Sequence, residues 1–101
     1  MMMAHDSSQP PGRLDDASLD AVRVALRAYL HDSEDVSALR ASLLLVSSEA
    51  RARNILPEQL LVTLKELWAT LPEVRAMTDA GQQVRLLQRV VTMCIREYYN
   101  A

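Results

Sequence analysis

Leu60, Leu61, Leu64, Leu67, Trp68 and Leu71 recur at helical spacing close behind Pro57, and no other segment constrains the chain as strongly. Advancing about 100° per residue, the six side chains fall within an arc of roughly 120°, so residues 57–71 predict a helix with one apolar face. Proline suits the first helical position, because its missing N–H would be unpaired there in any case and its fixed φ is already helical. Leu56 is then an unusual capping residue, having no side-chain oxygen for the free N–H groups of the first turn. Ile55 packing on Leu60 as a hydrophobic staple offers a substitute. Glu58 places negative charge at the positive end of the helix dipole. Leu71-Pro72 ends the run, since the residue before a proline is pushed out of the α region.

The rest of the chain agrees with that helix. Alanine, leucine and arginine dominate its 101 residues, glycine occurs twice and phenylalanine never, a composition that favours helix over sheet. No run of period two is long enough for a strand. The length is that of one small domain. A net charge of −2 argues against a protein whose main task is binding a phosphate backbone. Cys94 is the single cysteine, which excludes an internal disulfide and any Cys-x-x-Cys metal site. The longest strongly apolar run, Leu43-Leu44-Leu45-Val46, falls far short of a membrane span, and the leading Met1-Met2-Met3-Ala4-His5-Asp6 carries no signal-peptide core. The expected location is cytoplasmic.

Four principal helices account for the spacing, in an all-α bundle or array over residues 15–101. Residues 1–14, with Ser7-Ser8-Gln9-Pro10-Pro11-Gly12, are expected to form a disordered tail. The first helix starts at Asp15 or Asp16 and ends near Leu30, with Leu19, Val22, Leu26, Tyr29 and Leu30 as its apolar face. The second starts between Ser33 and Asp35 and runs to Arg53, with Asn54 suited to a left-handed C-terminal position. Its apolar series is Val36, Leu39, Leu43, Val46 and Ala50. A short helical turn follows Pro72. The last helix is entered through Thr78-Asp79, carries Val84, Leu87, Val91, Cys94 and Tyr98 at 3-4 spacing, and ends near Asn100.

The first two helices hold more apolar surface than one packing partner requires. Ala38, Ala41, Leu45 and Ala52 lie within an arc of roughly 60° on the side of the second helix away from its main face. Ala17, Ala21, Val24 and Ala28 do the same on the first. Alanine is a good helix former that tolerates exposure, which is the plain reading of such a stripe. The sharper reading is an interface with a second copy or another protein, formed by Ala21, Val24, Ala28, Ala38, Ala41, Leu45 and Ala52. Small side chains permit close helix approach, and a core built from about 85 residues gains from further burial.

Arg85, Arg89 and Arg96 share an arc of roughly 40° on the last helix, with Thr92 between them. No acidic residue lies three or four positions from any of the three. They form a candidate anion-binding or nucleic-acid-facing stripe, since guanidinium forks suit phosphate and carboxylate. The plain alternative is a solvated face, or pairing with Glu49, Glu66 or Glu73 from neighbouring helices. A helix-turn-helix module would need basic or amide side chains at the start of its recognition helix. Residues 57–71 offer Glu58, Gln59, Thr63 and Lys65, a weak inventory with one base.

The remaining chemistry is sparse. His5 falls in the expected tail, and His31 ends the first helix rather than standing exposed in mid-helix as a phosphotransfer histidine would. Cys94 sits inside an apolar arc, where cysteine acts as a small hydrophobe. Trp68 is expected as a core or interface anchor whose indole N–H reaches the rim or a carbonyl, and at the helix end Tyr98 continues the buried spacing while Tyr99 lies toward its edge, the pair closing the bottom of the core. No acid, base and nucleophile set is apparent, so no enzymatic activity, cofactor, metal or small-molecule ligand is expected. The function expected is that of a small helical interaction or regulatory module, self-associating or bound to another protein. The competing class is a nucleic-acid-associated regulator that uses the arginine stripe.

Overall fold

The computed structural model describes residues 13–100. Among them lie five helices and no strand: α1 (Asp16–His31), α2 (Ser37–Ala52), α3 (Pro57–Thr70), the single turn α4 (Pro72–Arg75) and α5 (Ala80–Asn100). The chain is all-α, with four principal helices. None of the described helices is long and apolar enough to cross a membrane.

Local chemistry sets each boundary. α2 begins at Ser37, slightly later than expected, because the Asp35 carboxylate accepts from both the Ser37 N–H (3.2 Å) and the Ser37 hydroxyl (2.7 Å). It ends in a Schellman turn. Asn54 adopts φ 60°, the Ile55 N–H donates to the Ala50 carbonyl (2.8 Å), and the Asn54 N–H donates to that of Arg51 (3.2 Å). At the start of α3, Leu56 supplies no side-chain acceptor, but the Gln59 Oε1 reaches back to the Leu56 N–H at 3.0 Å. Ile55 and Leu60, the expected staple, are both buried. Asp79 opens α5 by accepting from the Gln82 N–H at 3.1 Å.

α2 is the central element. It packs extensively against α1 on one side and α5 on the other and makes few contacts with α3, which lies against α5 and α1. The core gathers Val22, Leu26 and Tyr29 of α1, Leu39, Leu43, Val46 and Ala50 of α2, Leu60, Leu64, Leu67 and Trp68 of α3, and Val90 and Cys94 of α5. Each leucine it removes from water contributes on the order of 1.5 to 3 kcal/mol.

Three further expectations need correction. Of the tail expected over residues 1–14, residues 1–12 lie outside the described residues, but Leu14 is a core residue at 5% exposure. It is held there because the Arg13 carbonyl accepts from Arg53 Nη1 (2.9 Å) and the Asp15 N–H donates to Glu49 Oε2 (2.9 Å). On α5 the apolar seam is rotated from the expected series: Val90 is fully buried while Val84 stays 56% exposed. α5 is straddled by α2 and α3, so its buried stripe faces the space between them. Finally, the Trp68 indole N–H is buried with no hydrogen-bond partner among the described residues.

Candidate functional site

All seven candidate interface residues, Ala21, Val24, Ala28, Ala38, Ala41, Leu45 and Ala52, are exposed. The two largest carry the clearest excess, with Val24 at 62% and Leu45 at 69% exposure. α1 and α2 pack side by side, and the ledge they form carries Ala21 from one and Leu45 from the other. Ala21 and Leu45 line a common groove of about 210 Å³, together with Ala17, Ser18, Ser42 and Val46. A polar clasp fixes one end of the ledge. The Ser18 hydroxyl donates to Glu49 Oε1, and Arg53 donates to Asp15 Oδ1 (3.0 Å) while lying 3.4 Å from Glu49 Oε2.

The arginine stripe divides differently from the expectation. Arg89 and Arg96 line a second groove, of about 380 Å³, between α2 and α5; Arg85 does not. The third cation there is Arg40, which comes from α2. Sequence spacing gave no signal for it, since it lies 49 positions before Arg89 and no helical period relates the two. Arg89 is fixed from below: its guanidinium lies 5.8 Å from the centre of the buried Tyr29 ring.

None of the expected acidic partners reaches this stripe. Glu49 is taken up by Arg53, Ser18 and the Asp15 N–H. Glu73 accepts from Arg27 Nε at 2.9 Å and lies 3.4 Å from His31 Nε2. Its own backbone N–H and Arg27 hold its carboxyl below the usual glutamate range. Glu66 is exposed. Among the described residues, no carboxylate lies within 4.0 Å of Arg40, Arg85, Arg89 or Arg96.

Cys94 and Tyr98 are structural. Cys94 is 1% exposed, and burial pushes its thiol up to about 11, away from thiolate chemistry. Tyr98 donates to the Ile55 carbonyl at 2.7 Å and so ties the end of α5 to the α2–α3 turn. Tyr99 stands edge-on to it and remains 69% exposed. Among the described residues, no group of three or more His, Cys, Asp or Glu side chains is arranged to hold a metal ion.

Fold and surface together define a small all-helical domain with two outward faces of different chemistry, one apolar and one cationic. Compared with protein-family models, with curated proteins and with solved structures, the chain matches none.

Proposed function

We propose that the protein is a non-catalytic interaction module that self-associates through the α1–α2 ledge. The observation that supports this reading is the exposure of Val24 on α1 and of Leu45 on α2, each within a helical stripe otherwise made of alanine. A soluble domain gains nothing from an exposed valine and leucine flanked by side chains too small to keep another helix away. A second copy related by a two-fold axis would lay the same ledge against itself, Val24 and Leu45 meeting the alanines of the partner.

Size sets the strength. Two helices of 16 residues, each about 24 Å long and packed about 10 Å apart, offer a footprint of roughly 500 Å² per copy. Stable specific interfaces bury about 800 Å² per partner, so a footprint of this size fits a transient, reversible association.

Sedimentation or light scattering across a concentration series tests it. The expected result is a monomer–dimer equilibrium with a midpoint on the order of 10 μM. Leu45→Glu and Ala21→Glu should each leave the helical circular dichroism unchanged and the protein monomeric. A wild-type chain that stays monomeric up to about 1 mM, or a dimer indifferent to both replacements, overturns the reading.

A further inference from the structure

Three arginines line the groove between α2 and α5, and among the described residues no carboxylate lies within 4.0 Å of any of them. Arg40, Arg89 and Arg96 line it with the Thr92 hydroxyl and the Gln88 amide, and all five residues are exposed. Eleven basic residues stand against thirteen acidic ones in the whole chain, so cations are the scarcer charge. Three of the eleven nevertheless meet in one cavity without a carboxylate within 4.0 Å among the described residues. The nearest acid along the chain from the groove residue Val36 is Asp35, whose Oδ1 is engaged by the backbone and hydroxyl of Ser37.

We propose that this groove binds a small molecule carrying two or three linked phosphate groups. A lone carboxylate pairs with one guanidinium, whereas a di- or triphosphate carries enough oxygens for all three. Arginine forks bind phosphate oxygens in pairs, with hydroxyl and amide donors adding to the set. The volume of about 380 Å³ falls within the range of small-ligand sites, about 300 to 1,000 Å³. Val36 and Met93 provide an apolar wall beside the cations, suited to an organic group attached to the phosphates. Arg89 is pre-oriented by the Tyr29 ring, so part of the ordering cost of binding is already met. An extended nucleic-acid strand is the weaker match, because the chain as a whole carries a net charge of −2.

Isothermal titration of the full chain at low ionic strength, with inorganic triphosphate as the probe, tests the site. Saturable binding of one triphosphate per chain is expected. Arg40→Gln and Arg96→Gln should each weaken it at least about tenfold, while Arg85→Gln, outside the groove, changes it less than about twofold. Arg40→Lys keeps the charge but loses the fork and should give an intermediate loss. Circular dichroism confirms that each variant is folded. A nucleoside triphosphate that binds more tightly than inorganic triphosphate assigns Val36 and Met93 to the organic group, and equal affinity assigns the site to the phosphates alone; either supports the proposal. Absence of saturable binding overturns it. So does an equal loss from Arg85→Gln, which would mean diffuse surface charge. A single-stranded oligonucleotide that binds where triphosphate does not overturns it in favour of a nucleic-acid surface.

Discussion

The Tyr29 hydroxyl donates to the Leu86 carbonyl at 3.4 Å while the face of its ring lies under the Arg89 guanidinium, 5.8 Å away. One buried side chain thus connects α1 to α5 and positions a groove residue. Tyr29→Phe keeps the ring and removes a long hydrogen bond, so the expected loss in urea unfolding is about 0.5 kcal/mol, the low end for such bonds. Burial raises the Tyr29 phenol above its ordinary value of 10.0, with Arg89 acting in the opposite direction. A folded-state value above the unfolded one means that its stability is complete below pH 10 and is lost as the pH climbs through the folded value. Tyr29→Phe should therefore unfold less steeply in alkali than the parent; an unchanged alkaline limb would refute the assignment.

Ser47 is fully buried in α2, and its hydroxyl has no hydrogen-bond partner among the described residues. An unsatisfied buried polar group costs roughly 1 to 3 kcal/mol. Ser47→Ala is expected to raise stability by on the order of 1 kcal/mol, read as a higher urea midpoint with an unchanged slope. A lower midpoint would show that the hydroxyl has a partner in solution.

Cys94 makes two expectations. Its thiol should react with a disulfide reagent only as fast as the chain opens, with immediate labelling in denaturant. Burial raises its value from 9.0 to about 11, so stability is full below pH 9 and declines between pH 9 and pH 11. The shift corresponds to on the order of 2 to 3 kcal/mol. Cys94→Val should flatten that interval, and labelling of the native thiol at the rate of a free peptide would contradict its burial.

Glu73 governs the acid side at the α1–α4 contact. Its carboxyl is held below 4.5 by its own backbone N–H and by Arg27, so the stability it lends is present above pH 4.5 and disappears as the pH falls through the lower, folded value. Glu73→Gln should show a smaller drop in melting temperature between pH 5 and pH 3 than the parent. Equal drops would place the acid sensitivity elsewhere.

The helices were legible because their boundaries are local. Pro57, Pro72 and Asn54 stop or start the backbone by their own covalent geometry, and the leucines of α3 repeat with the helical period. The ledge on α1 and α2 was legible for the same reason, since a stripe within one helix is a matter of spacing. What the residues did not disclose depends on partners distant in sequence. Leu14 follows a proline-rich stretch and gains its place in the core only because Arg53 and Glu49, some 40 and 34 positions on, hold the flanking backbone. Arg40 meets Arg89 and Arg96 through the packing of α2 beside α5, two helices not consecutive in the chain. The exposure of Val84 follows from how α5 is wedged between α2 and α3, a rotation that the apolar period leaves free.

The clasp at the α2–α3 turn also gathers the first and last described turns. Arg53 holds the carbonyl of Arg13, Arg51 donates to the carbonyl of Tyr98 at 3.3 Å, and Tyr98 reaches Ile55. The first and last described turns are therefore moored to the same few residues. A circular permutant with residue 100 joined to residue 13 through a short glycine linker, and the chain reopened in residues 32–36, should keep the same packing. Reporters attached at residues 13 and 98 would sit close to each other at a single pole of the domain.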